Sequence, residues 1–193
     1  MPHKFDPKNL DKLEDPKRLK IFNPDSLFEE LGLGGFESIL DFGVGTGFYL
    51  PYLTKLLTPS GLIYAVDVQD ELLAFAQEKL KGSPFEDRVR FLKIEEKKPL
   101  PLESDSLDFI YLAFTFHELH APQETLRELY RLLRPGGKLL LIDWNKEKRD
   151  MGPPPEEVYA EAELLKFLEK GTFHICHKRV CEPYIFIILA EKE

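Results

Sequence analysis

An α/β fold built on a doubly wound, mostly parallel sheet is what this sequence predicts, on three observations. Short apolar runs alternate with amphipathic segments along the whole chain, the pattern of strands covered by helices on both faces. A glycine-rich passage, Asp41-Phe42-Gly43-Val44-Gly45-Thr46-Gly47, joins the first apolar run to the segment after it. The 193 residues make a common one-domain length and carry no repeat or low-complexity stretch. The expectation is one domain, 1–193, in which 1–30 form an N-terminal helical or lid segment and 31–193 the core.

Each element has a local reason. Residues 4–30 scatter Phe5, Leu10, Leu13, Leu19, Ile21 and Phe22 among charges and prolines, so the segment either folds over a ligand as a lid or packs on the sheet edge. Ser38 to Phe42 reads as the first strand, and Tyr49 to Leu57 carries apolar residues at helical spacing. A strand over Leu62 to Asp67, a helix from about Asp70 to Lys81, and strands over Val89 to Ile94 and Leu107 to Ala113 follow. Beyond Pro122, which suits a first helical turn, Leu126, Leu129, Tyr130 and Leu133 fall on one helical face. Arg134-Pro135-Gly136-Gly137 stops that helix and turns the chain into a strand over Lys138 to Trp144. A helix from about Pro155 to Lys170, ended by Gly171, leads to two closing strands, Phe173 to Val180 and Tyr184 to Ala190, which completes seven.

Composition narrows the function classes. A net charge of −8 disfavours an extended nucleic-acid footprint of clustered Lys and Arg. The longest apolar run, Tyr184 to Ala190, is far too short to span a bilayer, and the N-terminal MPHKFDPKNL has no apolar signal region. Two cysteines fit a reducing compartment, so a cytoplasmic protein is expected. Cys176 and Cys181 lie near His174 and His177, but strand alternation sends them to opposite faces, and no metal site is expected.

The glycine passage is a ligand loop, because glycines let the backbone turn tightly and approach a bound group. Its spacing is selective. The third glycine of a dinucleotide G-x-G-x-x-G would fall on Phe48, which disfavours a nicotinamide-dependent oxidoreductase, and no G-K-[ST] of a phosphate-binding loop follows. Asp67 ends the next strand, where a carboxylate either accepts hydrogen bonds from two ribose hydroxyls or caps the following helix.

With D-x-G-x-G-x-G at residues 41–47, the chain resembles the class I S-adenosylmethionine-dependent methyltransferases. The resemblance continues through Glu95, Glu96 and Leu100-Pro101-Leu102, then Ser106-Leu107-Asp108, into Leu132-Leu133-Arg134-Pro135-Gly136-Gly137, and covers about residues 37–144. It points most closely to the small type-11 methyltransferases of the ubiquinone/menaquinone-biosynthesis kind, helped by Asp143-Trp144 and Gly152-Pro153-Pro154. The resemblance implies a Rossmann-like sheet of seven strands whose seventh is antiparallel and inserted beside the fifth. It implies S-adenosylmethionine as cofactor, with Asp41, Gly43, Val44, Gly45, Gly47, Asp67, Val68, Glu95, Glu96 and Phe114 as the residues that hold it. Asp41 suits the cofactor's sulfonium and ammonium cations, and its carboxylate can use backbone N–H groups near the helix start. Two departures occur. Val44 stands where many relatives have Cys or Ala, and either Glu95 or Glu96 takes the adenine contact, because alternation lets only one face the cofactor.

His117 lies just beyond the fourth strand, at the carboxyl edge where open α/β sheets bind ligands, and is the catalytic candidate. It serves either as a base or orienting group, or as a cap of the next helix. His117-Glu118-Leu119-His120 is one residue short of the H-E-x-x-H of zinc proteases. Tyr111, Phe114, Phe116 and Trp144 form either an aromatic rim for adenine and the sulfonium or ordinary core packing. Ala113-Phe114-Thr115-Phe116 replaces the N/D-P-P-Y/F of enzymes that methylate exocyclic amines, which disfavours that acceptor. The expected reaction is methyl transfer by in-line displacement to a small, apolar or aromatic acceptor. A non-catalytic cofactor-binding module is the other reading.

Overall fold

In the computed structural model, which describes residues 10–181 and 184–193, the chain divides into two units, 5–95 and 96–193. Residues 4–9 of the N-terminal segment, Phe5 among them, lie outside the described residues.

The first unit opens with three short helices, α1 (Leu10–Leu13), α2 (Arg18–Ile21) and α3 (Pro24–Glu30). Asn23 starts α3 by accepting from the Ser26 N–H at 3.2 Å, with Pro24 at the first position, where a missing N–H costs nothing. Strand β1 (Phe36–Phe42) becomes buried toward its carboxyl end, where Ile39, Leu40, Asp41 and Phe42 are all covered. Strand β2 (Leu57–Asp67) runs parallel to β1, helix α5 (Asp70–Leu80) buries Leu72, Leu73, Ala76 and Leu80, and β3 (Val89–Lys93) pairs parallel with β2.

Between β1 and β2 the expected helix over Tyr49 to Leu57 shrinks to one turn, α4 (Leu50–Leu53), followed by a 3-10 turn, Thr54–Leu56. Local hydrogen bonds explain the early stop: the Thr54 hydroxyl donates to the Pro51 carbonyl at 3.0 Å, and the Leu57 N–H bonds Thr54, which tightens the turn. Strand β2 therefore starts at Leu57 rather than Leu62, with an irregular register between the Phe36 and Ser38 pairings. The Arg88 guanidinium braces this excursion by donating to the Gly61 and Thr58 carbonyls.

In the second unit, β4 (Leu107–Ala113) is buried at every residue and matches its expected span. Helix α6 (Pro122–Leu132) buries Leu126, Leu129 and Leu132. Strand β5 (Leu133–Trp144) already begins at Leu133, so Arg134 to Gly137 form an irregular start to the strand rather than a separate turn. Arg134 pairs there with Asp108 at 2.8 Å, and Gly136 takes a φ of +77° that favours glycine.

The expected helix over Pro155 to Lys170 is broken. Pro155–Glu157 make a 3-10 turn, Val158 buries itself in an extended stretch, and α7 (Glu161–Lys170) starts anew because the Glu163 carboxylate accepts the Ala160 N–H at 2.8 Å. Strands β6 (His174–Cys181) and β7 (Ile185–Glu191) each sit one residue later than their sequence pattern suggests.

The seven strands form one sheet in the order β3-β2-β1-β4-β5-β7-β6. Strand β7 is antiparallel to both β5 and β6, and inserts beside β5. No helix among the described residues is long and apolar enough to cross a membrane. Nor do three or more His, Cys, Asp or Glu side chains gather there in a group able to hold a metal ion.

Candidate active site

In the first unit the glycine loop leaves β1 and is anchored on β2. The Gly43 and Val44 N–H groups both donate to the Val66 carbonyl at 2.9 Å, and the Gly47 N–H donates to Val44 at 2.9 Å. Gly43, Gly45 and Gly47 have φ values of 81°, 53° and 72°, a left-handed run that side chains oppose. Gly45 and Gly47 serve different ends. A Cβ on Gly47 would press on Leu50 at 3.0 Å and Ala76 at 3.2 Å, so this glycine packs the loop against α5. A Cβ on Gly45 would meet Leu13 Cδ1 at 3.6 Å, an ordinary contact, so at Gly45 the left-handed backbone, not crowding, asks for glycine.

Asp67 ties the loop to the end of β2. One carboxylate oxygen accepts the Gly45 N–H at 2.9 Å, and the other accepts the Gln69 N–H at 3.0 Å, just before α5 begins. Val68, half-buried, sits between these two anchors. Asp41 is 4 % exposed, and burial, reinforced by the Asp67 charge, pushes its pKa from 3.8 up to about 8. Two buried acids beside a glycine loop suit a ligand that brings cations and hydroxyls.

Asp41 also sets a measurable pH dependence. Its folded pKa lies above its ordinary value, so its contribution to stability is complete below about 3.8 and is lost as pH rises through about 8. Asp41→Asn is therefore expected to raise the melting temperature more at about pH 9 than at about pH 5, while weakening binding of a cationic ligand. An unchanged difference between melts at the two pH values would contradict the assignment.

The two glutamates beyond β3 part company. Both are exposed, Glu95 at the end of the first unit and Glu96 in the second, where it meets His120 Nδ1 at 3.0 Å.

In the second unit the carboxyl ends of β4 and β5 carry a buried polar pair that the sequence alone did not disclose. His117, in a 3-10 turn after β4, places Nδ1 2.8 Å from Asp143 Oδ1, and its backbone N–H donates to Asp143 Oδ2 at 2.9 Å. The Trp144 N–H holds the same carboxylate at 2.7 Å. Asp143 thus orients the imidazole, whose other ring nitrogen, Nε2, lies 3.7 Å from Glu118. Burial alone would lower the His117 pKa, but the Asp143 charge and hydrogen bond, with Glu118, raise it above 6.5.

Phe114 stands in the left-handed region at φ 57°, an unusual place for a bulky side chain, with its N–H bonded to Ile142 at 2.8 Å. Its ring lies 4.7 Å from that of Trp144. The Trp144 ring is covered in turn by the Arg149 guanidinium at 5.2 Å and by Gly152, where a Cβ would come within 2.8 Å of the ring. Phe116 packs edge-on against Tyr159 and Phe167, at 5.5 and 5.7 Å. Tyr111 is wholly buried in β4.

Sequence reasoning missed Asp143 as the partner of His117. The signal was present: Leu140-Leu141-Ile142-Asp143 ends a buried strand with an acid, as Ala65-Val66-Asp67 does.

The comparisons with known proteins agree with this fold. The methyltransferase domain family matches residues 40–141. A solved SAM-dependent methyltransferase from Aquifex aeolicus is 44% identical, covers 98% of this chain and 100% of its own, and superposes with a TM-score of 0.91. The chain belongs to the class I S-adenosylmethionine-dependent methyltransferases, in the type-11 methyltransferase domain family. Among curated relatives, the ubiquinone/menaquinone biosynthesis C-methyltransferase UbiE of Hahella chejuensis is 27% identical over 136 residues, which are 70% of this chain and 54% of that protein. The chain spans about half the length of the curated relatives it matches. A geranyl diphosphate C-methyltransferase from Streptomyces coelicolor, solved with S-adenosyl-L-homocysteine, shares the fold at a TM-score of 0.77 and 13% identity. It covers 99% of this chain and 85% of its own.

S-adenosylmethionine is the cofactor of this family and supplies a methyl group made electrophilic by its sulfonium. The buried acids Asp41 and Asp67 beside the glycine loop fit its cations and hydroxyls.

Proposed function

We propose that this protein transfers a methyl group from S-adenosylmethionine to a small, apolar or aromatic acceptor by in-line displacement. Asp41, Gly43, Val44, Gly45, Gly47, Asp67 and Val68 hold the cofactor, with Glu95 or Glu96 and Phe114 as further contacts. His117 takes the acceptor's proton, or orients the acceptor, through Nε2.

The observation that carries this reading is the His117–Asp143 pair, a buried group able to handle a proton. An enzyme that aligns a nucleophile with a methyl carbon needs little more than positioning and a place for one proton. The aromatic residues of the same unit support an apolar ring as acceptor: Phe116, next to His117 in the chain, packs with Tyr159 and Phe167. The names of the curated relatives support carbon as the acceptor atom. Removing a proton from a hydroxyl on the ring would make the adjacent carbon nucleophilic, a task suited to His117. The free cysteines Cys176 and Cys181 support a reducing, cytoplasmic setting.

Incubation with methyl-labelled S-adenosylmethionine and a panel of small hydroxylated aromatic acceptors tests the reading. Label should pass to an acceptor, and to a ring carbon where the product is mapped. Cofactor binding with no transfer to any acceptor in the panel would point instead to a binding module.

A further inference from the structure

The cofactor of this family carries a free carboxylate, and in the first unit the loop it enters is flanked by two buried acids, Asp41 and Asp67. The helix after the loop is a single turn, Leu50–Leu53, too few aligned peptides to offer an anion a substantial dipole. A cation from another part of the chain would add the charge that this turn lacks. The N-terminal segment brings one.

Residues 10–22 pack against the glycine loop and the residues that follow it. Leu13 Cδ1 is the atom a Cβ on Gly45 would meet, at 3.6 Å, and the Phe22 ring stacks on Tyr49 with centroids 5.7 Å apart. Between these two contacts, the Arg18 guanidinium sits 5.5 Å from the Phe48 ring and 5.3 Å from the Tyr49 ring, and donates to the Tyr49 hydroxyl at 3.4 Å. Burial raises the Tyr49 pKa, the Arg18 charge opposes that rise, and the Asp41 charge adds to it, so the phenol lies within the influence of both. Lys79 is a second cation over Phe48, at 5.9 Å, but its ammonium is bonded to Glu14 at 2.5 Å. The other carboxylate oxygen of Glu14 is buried with no hydrogen-bond partner among the described residues, an acceptor suited to a ligand ammonium.

We propose that Arg18 binds the carboxylate of S-adenosylmethionine, so that residues 10–22 form a strap recognising the amino-acid end of the cofactor. The guanidinium is a planar fork of donors that matches a carboxylate, and the two rings hold it over the loop. The proposal rests on the cofactor assigned to the family. It makes Arg18 a binding residue whose effect depends on one functional group of the ligand.

Titration of the full chain and of Arg18→Met with S-adenosylmethionine and with its decarboxylated analogue tests it. Arg18→Met is expected to weaken S-adenosylmethionine about 10- to 100-fold, the effect of losing a charge-assisted pair, and the decarboxylated analogue by no more than about twofold. The unsubstituted chain should prefer S-adenosylmethionine over the analogue by a similar factor, and Arg18→Lys should recover part of that preference. Retained binding of the analogue also reports that the variant is folded. Equal losses for the two ligands, or no loss for either, would overturn the assignment of Arg18 and leave the cofactor reading standing. An unsubstituted chain that binds neither ligand would overturn both.

Discussion

Asp67→Ala is expected to weaken S-adenosylmethionine binding by about 2 to 4 kcal/mol, one of the two largest effects foreseen here. Two losses combine. The carboxylate is the acceptor proposed for the ribose hydroxyls, and it also pins the Gly45 N–H at 2.9 Å and the Gln69 N–H at 3.0 Å. Without it the glycine loop keeps the Gly43 and Val44 bonds to Val66 but loses the anchor of Gly45, the middle of its three left-handed glycines. Calorimetric titration measures the loss. Asp67→Asn, which keeps one oxygen acceptor, should lose less than Asp67→Ala. Cofactor affinity unchanged in both variants would reduce Asp67 to a cap of α5.

His117→Ala is expected to cut turnover about a hundredfold or more with cofactor affinity intact, in line with what a positioned acid or base contributes. Asp143→Asn should act in the same direction, because Asp143 Oδ1 accepts from Nδ1 at 2.8 Å and so selects the ring tautomer and orientation. The pH profile gives the sharper reading. Asp143 and Glu118 raise the His117 pKa above its ordinary 6.5 despite burial, so the imidazole is charged over the lower part of the neutral range and must lose its proton to serve as a base. Turnover should therefore rise with pH along a limb whose midpoint lies above about 6.5, and that limb should vanish in His117→Ala. The same protonation acts on stability with the opposite slope: the contribution of the ion pair is complete below about 6.5 and is lost as pH rises through the raised value. Wild-type turnover in His117→Ala across the pH range would leave alignment as the whole of catalysis.

The fold was legible because its signals are local. The apolar run Leu107–Ala113 is buried at every position, and a strand covered on both faces needs no partner to be recognised as such. Leu126 and Leu129 declared the buried face of α6 by spacing alone. Where the reading of elements failed, bonds from side chains to nearby backbone groups decided. Thr54 bonding back to Pro51 shortened α4, and Glu163 reaching the Ala160 N–H restarted α7 after a buried Val158. A hydrophobic period shows which face is buried, but not where a side chain will cut the ladder of backbone bonds.

The candidate site divides along the same line. The glycine spacing, the acid before it and the acid at the end of β2 lie in consecutive segments, so their chemistry can be read in order along the chain. The role of His117 could not be, because Asp143 comes 26 residues later and meets it only where β4 and β5 lie side by side. Arg18 and Tyr49 are likewise 31 residues apart. By itself the sequence determined the class of fold and the chemistry of the glycine loop, since backbone freedom and strand burial follow from short runs of residue types. The tertiary structure alone decided which distant groups pair. A hydrogen bond of 2.8 Å between His117 and Asp143, and the pKa shift that comes with it, depend on strand register and burial, quantities no single segment contains.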